Sequence, residues 1–253
     1  MDLRFDGKTV LVTGASSGIG AAVAAGFGAA GAEVVVHYHR HADGAGAVLE
    51  AVQAGGGSGY LVRGDLAADG GPEELVATVA ERSGRLHVLV NNAGGQLRRA
   101  RIEETDDALF DGLVSLNLTS VFRCCRAAIP LLRRSRPAAI VNLSSVSARN
   151  GGGGGSVVYA ATKAAVSTLT RGLAKELAGE GIRVNAVAPG LVDTPFHEAT
   201  PRATWDAVVA GIPMGRPGRA DECVGPVLFL ASEVAASYVT GQSLEVNGAQ
   251  LMP

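Results

Sequence analysis

The feature that most constrains this chain is the alternation of short apolar runs with alanine-rich stretches of helical length. The runs at 9–13, 33–38, 60–63, 87–91, 139–143, 183–188 and 243–246 are rich in β-branched residues. Several, such as VLVT and VLVN, lack the polar alternation of a half-solvated strand and read as strands buried on both faces. Helical segments at 19–30, 44–54, 72–83, 106–132, 158–178 and 220–232 lie between them. Strand and helix in turn predict right-handed crossovers, and so an α/β fold: a doubly wound parallel seven-stranded sheet with helices on both faces. Composition agrees, since 35 glycines and 10 prolines in 253 residues stay below the roughly 25–30% of low-complexity chains.

No repeat or linker divides the chain, and residues 1–253 read as a single domain. Two segments break the alternation. The first is Asn150 to Ser156, five glycines between polar ends, which reads as a flexible loop. The second, 190–219, holds four of the ten prolines and reads as a substrate lid, because a loop that long in a compact domain usually has a function. Twenty-two Lys+Arg against 24 Asp+Glu leave a net charge of −2, without the basic footprint of a nucleic-acid binder. No apolar run reaches the roughly 18 residues of a membrane span, and the first residues lack the apolar core of a signal peptide. Three cysteines make no disulfide framework. These points together predict a soluble, cytoplasmic protein with reduced thiols.

The first strand runs into Thr13-Gly14-Ala15-Ser16-Ser17-Gly18-Ile19-Gly20 and then a helix. Glycines let the backbone approach a pyrophosphate, and the helix N-terminus behind them offers free N–H groups and a positive dipole end. At the end of the second strand an acidic residue would accept from the ribose 2′-OH of NAD, whereas a basic one suits the 2′-phosphate of NADP. Here the strand ends in His37-Tyr38-His39-Arg40-His41, which favours NADP(H), with His39 and Arg40 as phosphate partners and NAD(H) as the alternative. The same residues also fit a solvated basic turn. His37, His39 and His41 as metal ligands lack a carboxylate or cysteine partner at fitting spacing, so no metal site is expected.

Tyr159 and Lys163 stand four apart on the helix at 158–178 and so share a face. A free tyrosine has a pKa of about 10. A cation 4 Å away at an effective dielectric near 20 is worth roughly 4 kcal/mol, about 3 pKa units, which would bring the phenol toward working pH. Alone, such a pair is usually a solvated helix face.

Together, TGASSGIG at 13–20, GDL at 64–66, NNAG at 91–94, Asn117, NLSS at 142–145, YAATK at 159–163, VAPG at 187–190 and TGQSLEVNG at 240–248 resemble the short-chain dehydrogenase/reductase family over nearly the whole chain. That resemblance implies a Rossmann-type fold and hydride transfer between a nicotinamide cofactor and a carbonyl or secondary alcohol. It makes Tyr159 the proton donor, with Lys163 lowering its pKa and holding the nicotinamide ribose. Ser145 would bond the substrate oxygen, and Asn117 would anchor a water relay. It assigns Gly14, Ser16, Ser17, Gly18, Ile19 and Gly20 to the pyrophosphate, and Asp65 and Leu66 to the adenine. Asn91, Ala93 and Gly94 would border the adenosine ribose. Pro189, Gly190, Val192 and Thr194 would position the carboxamide. Two departures stand out: thirteen residues, 146–158, separate Ser145 from Tyr159 where twelve is commonest, and Asn247 replaces a frequent acidic residue.

The resemblance is nearest to bacterial 3-oxoacyl-[acyl carrier protein] reductases, which implies a 3-oxoacyl thioester as one substrate. An acidic carrier needs a basic dock. Arg133, Arg134 and Arg136 fit that need, but Glu180 stands where those reductases often carry a second arginine, which argues against carrier binding. Arg98, Arg99 and Arg101 after NNAG would flank the cleft mouth and attract an anionic or phosphorylated substrate. The alternatives are an NAD-linked sugar or polyol dehydrogenase and, more remotely, a nucleotide-binding regulator without activity. A homotetramer is also implied, packed through helices 106–132 and 158–178, where Ala160, Ala161, Ala164, Ala165 and Gly172 permit close approach.

Overall fold

The computed structural model describes residues 3–198 and 200–252. Strands β1 (Thr9–Val12), β2 (Glu33–Tyr38), β3 (Ser58–Arg63), β4 (Val88–Asn91), β5 (Ala138–Leu143), β6 (Ile182–Pro189) and β9 (Ser243–Val246) form one parallel sheet in the order β3-β2-β1-β4-β5-β6-β9. Two short strands, β7 (Val192–Asp193) and β8 (Gly218–Arg219), pair separately. Every residue of β1, β4 and β5 is buried, as their unbroken apolar runs require. The side-chain period of two sends neighbours to opposite faces. Val10 and Val12 pack with Val23 and Phe27 of α1 (Gly18–Ala29) and Val227 of α9 (Val224–Ala231). Leu11 packs on the other face with Leu75 and Val79 of α3 (Gly71–Ser83), Cys124 and Leu132 of α5 (Ser120–Arg134) and Val166 of α7 (Val157–Leu177). Helix α2 (Ala42–Ala54) joins β2 to β3.

The strand order reverses at β1, so the chain leaves β1 and β4 in opposite directions. The crevice at their carboxyl ends is where an open α/β sheet binds ligands.

Three sequence expectations need correction. The helix at 106–132 is interrupted: α4 (Asp107–Val114) and α5 are joined by a π-helical turn at Ser115–Thr119. There the Ser120 N–H reaches Ser115 O, and the Asn117 amide donates to both Leu113 O and Gly95 O. The wider turn aims Asn117 inward, a common use of such bulges. The same stretch, 107–134, contains an 18-residue window of mean hydropathy 1.2, so it does pass a length-and-hydropathy test for a membrane span. One face of α5 is nonetheless packed into the core beside the sheet, through Val121, Cys124, Cys125, Ala128 and Leu131. Segment 190–219 has structure of its own: β7, a 3₁₀ turn at Pro195–His197, α8 (Arg202–Ala210) and β8. Its base is fastened by Leu191 N–H to Gln250 Oε1 (3.2 Å) and Met214 N–H to Gly248 O (3.2 Å). Helix α8 buries none of its residues.

Candidate active site

A cleft of about 810 Å³ opens at the carboxyl ends of β1, β4, β5 and β6. At one end the turn after β1 crosses under the N-terminus of α1. Gly14 has φ +62°, and a Cβ there would lie 2.9 Å from Ala93 Cα. A Cβ on Gly20 would lie 2.3 Å from Asn92 Nδ2 and 2.5 Å from Gly14 O. Only glycine allows so close an approach of two backbones. The turn is held by its neighbours: Thr13 Oγ1 accepts from Asn92 N and Ala93 N at 3.0 Å each, and Asn92 Nδ2 donates to Thr13 O and Gly14 O.

His37 completes the support. Its Nδ1 accepts the Gly14 N–H at 3.1 Å, which leaves the proton on Nε2 to donate to Gly64 O at 3.2 Å. Burial drives its pKa down to about 4, so the ring is neutral and keeps its acceptor. His37 thus braces the glycine turn and is not a metal ligand.

Further along, α7 docks on β5 by a polar stripe. Lys163 Nζ donates to Leu143 O at 2.7 Å, Ser167 Oγ and Ser144 Oγ meet at 2.7 Å, and Asn142 Nδ2 donates to Thr170 Oγ1 at 2.9 Å. Residues 163, 167 and 170 are one helix face, and Tyr159 is the next position up that face. Tyr159, Lys163 and Ser145 are all buried and line the cleft. Asn117 is buried without lining it; its Oδ1 accepts from Gly95 N at 2.9 Å. A Cβ on Gly94 would meet both that oxygen and Lys163 Nζ.

The family described as enoyl-(acyl carrier protein) reductase matches residues 14–249. A 3-oxoacyl-[acyl-carrier-protein] reductase of Synechocystis is 37% identical over 249 residues, 97% of each chain. This chain is a short-chain dehydrogenase/reductase. Among solved relatives, a 3-oxoacyl (acyl-carrier-protein) reductase of Agrobacterium tumefaciens with NADP bound superposes at TM-score 0.89, with 34% identity over 98% of this chain and 95% of that one. An NADH-dependent reductase, A1-R′, responsible for alginate metabolism, superposes at 0.91, with 37% identity over 98% of both chains. The chain is therefore an NAD(P)-dependent oxidoreductase that transfers hydride between the cofactor and a carbonyl or CH–OH group.

The cleft of this dehydrogenase/reductase brings together nearly all the expected residues. Gly14, Ser16, Ser17, Gly18, Ile19, His39, Arg40, Asp65, Leu66, Ala93, Gly94, Pro189, Gly190, Val192 and Thr194 line it. Gly20 does not line it but permits the turn. Asn91 is elsewhere: its Nδ2 donates to Asn142 Oδ1 at 2.8 Å and contacts Cys125 Sγ at 3.2 Å. Alternation along β4 turns Asn91 into the layer between sheet and helices and leaves Asn92 at the cleft. Asn92 and His37 were missed at the sequence level. Their signal was adjacency to strand ends that converge on the glycine turn.

The expected electrostatics are overturned. Burial pushes the Tyr159 phenol up to about 12, against the lowering effects of the Ser145 hydroxyl and the Arg99 charge. Burial also brings Lys163 down to about 8. The ammonium is turned to Leu143 O, with Nζ 5.8 Å from the centre of the tyrosine ring. The proposed dock is altered too, because Glu180 forms a two-pronged ion pair with Arg133.

His37 gives a testable pH dependence. Its folded pKa lies near 4 and its unfolded value near 6.5. The unfolded chain therefore takes up a proton first on acidification, and stability present above pH 6.5 is lost as pH falls through 4. In urea unfolding, the wild type should lose roughly 3 kcal/mol more than His37→Phe between pH 7 and pH 4. Equal losses would refute this role.

Proposed function

We propose that the protein is an NADPH-preferring reductase that converts a small ketone to a secondary alcohol, with Ser145, Tyr159 and Lys163 as its catalytic residues and Asn117 as their positioning residue. When bound, the nicotinamide supplies the hydride that reaches the carbonyl carbon. The chain does the rest. Ser145 Oγ–H donates to the carbonyl oxygen and stabilises the charge that develops there. The phenol, kept protonated by burial, passes its proton to that oxygen as a general acid. Lys163, anchored on Leu143 O, fixes the pitch of α7 and so the height of Tyr159 in the cleft. The observation that carries this reading is the convergence of Ser145, Tyr159 and Lys163 on one wall of a cleft whose far end is a glycine turn under a helix N-terminus.

The cofactor preference is supported by Arg40, which lines the cleft beyond β2 with no ion pair among the described residues. His39 lies 3.7 Å from Asp65, so that carboxylate is turned to a neighbour. Family membership alone leaves the choice open, since an NADH-dependent relative and an NADP-bound one match comparably well. A second reading, reduction of a 3-oxoacyl thioester, is supported by the Synechocystis relative; the Arg133–Glu180 pair weighs against a carrier dock there. Exposed Phe110 and Phe122 on α4 and α5 support assembly through that face, as in the expected homotetramer.

Tyr159→Phe should lower kcat for carbonyl reduction by at least a hundredfold while NADPH binding, read by fluorescence titration, stays within about threefold. Retention of full turnover would remove the mechanism. Arg40→Asp should weaken NADPH binding by tenfold or more, in line with about 1.5–3 kcal/mol for a charge-assisted bond, and leave NADH binding nearly intact. Equal losses for both cofactors would refute the preference.

A further inference from the structure

We infer that the substrate end of the cleft is a carboxylate subsite with Arg99 as its cation, so that the enzyme acts on an oxo acid; this rests on the proposed reading of the cleft as a carbonyl-reducing site. The three arginines after NNAG do not act alike. Arg98 is turned to Asp106 at 3.8 Å and Arg101 to Glu103 at 2.7 Å, both exposed. Arg99 lines the cleft instead. Its Nη1 donates to Ser156 Oγ at 2.7 Å and reaches Gly154 O at 3.4 Å. Both acceptors are neutral, and among the described residues no carboxylate lies within ion-pair distance of Arg99.

Position and surroundings then define what the guanidinium is for. Ala100 N and Gln96 Nε2 both donate to Gly155 O at 3.1 Å, so the arginine loop and the glycine loop form one wall with Arg99 fixed between them. The extra residue between Ser145 and Tyr159 falls in this glycine loop. The charge of Arg99 is felt by Tyr159 and by His197, which places it at the reacting end.

His197 supplies a second, independent observation. Its Nδ1 is buried and has no hydrogen-bond partner among the described residues, although the residue lines the same cleft. Phe196 lies between Tyr159 and His197, with ring centres 5.7 Å and 4.8 Å away, and Trp205 stacks edge-on to His197 at 5.7 Å.

Charge balance completes the case. Of the described residues that line the cleft, Asp65 is the only acidic one, and it sits at the nucleotide end beside His39. The substrate end carries Lys163 and Arg99 with a neutral His197, and among the described residues no carboxylate lines it. Two cations on a partly dehydrated wall favour a ligand that supplies the counter-charge. Nη1 is held by Ser156 and Nε and Nη2 have no partner among the described residues, so that edge of Arg99 can take a carboxylate in the two-pronged geometry that guanidinium favours. The His197 imidazole and the aromatic rings close the pocket around it. A bulky carrier-linked chain has no such charge at this place.

The test compares kcat/KM for acetoacetate, 4-oxopentanoate and 5-oxohexanoate with that for their methyl esters, with NADPH, in the wild type, Arg99→Met, Arg99→Lys and Arg101→Ala. The wild type should favour at least one acid over its ester by tenfold or more. Arg99→Met should erase that ratio, Arg99→Lys should keep part of it, and Arg101→Ala should leave it in place. Ketone esters reduced well with no acid preference, or a ratio indifferent to Arg99→Met, would overturn the subsite alone. No turnover of any ketone with either cofactor would overturn the proposed function with it. Dihydroxyacetone phosphate against dihydroxyacetone forms the last arm, and a preference for the phosphate over every acid would refute the carboxylate.

Discussion

The structure of this active site depends on one helix face. Residues 159, 163, 167 and 170 of α7 are all polar, and three of them find their partners on consecutive residues at the end of β5 and just past it, Asn142 to Ser144. Buried polar groups must be paired, so the stripe admits a single registration of helix on strand. A slide of one turn would strand an ammonium, a hydroxyl and an amide in the core at once. The registration that satisfies Lys163, Ser167 and Thr170 is the one that lifts Tyr159 to the cleft, beside Ser145 at the end of the same strand. Asn91 extends the pairing to β4 through Asn142, and the sheet, helix and catalytic wall become one polar unit inside an apolar sandwich.

Burial has a second consequence, for protons. The simple picture of a phenol made acidic by an amine one turn away assumed an ammonium about 4 Å from the oxygen. In the structure the amine is committed to a backbone carbonyl, and both groups are largely removed from water. Desolvation disfavours each charged form, which moves phenol and amine in opposite directions, to about 12 and about 8. A protonated phenol is a ready donor for reduction.

Much of this was legible in the chain. The apolar runs placed seven strands within a few residues of their ends, most plainly for β1, β4 and β5, because a strand covered on both faces has no polar positions to confuse the pattern. The glycine turn was legible because close backbone approach leaves a residue signature. Other features had no local signature. The π turn around Asn117 depends on hydrogen bonds to Gly95, across the chain. His37 looked like part of a basic cluster because nothing near it in sequence reveals that its ring is buried under Gly14. Arg98, Arg99 and Arg101 are equivalent as letters; two of them turn to carboxylates nearby in the chain, and only packing against the glycine loop holds the third at the cleft. Asn91 and Asn92 are adjacent and chemically identical, and the pleat of β4 alone separates their roles.

The most direct test of this account is the ionisation of Tyr159 in the free enzyme, read as the phenolate absorbance difference between wild type and Tyr159→Phe across a pH titration. Burial as the governing influence predicts no phenolate from this residue until pH approaches about 12. A phenolate component that titrates below pH 9 would show that the neighbouring charge prevails over burial, and would contradict the account.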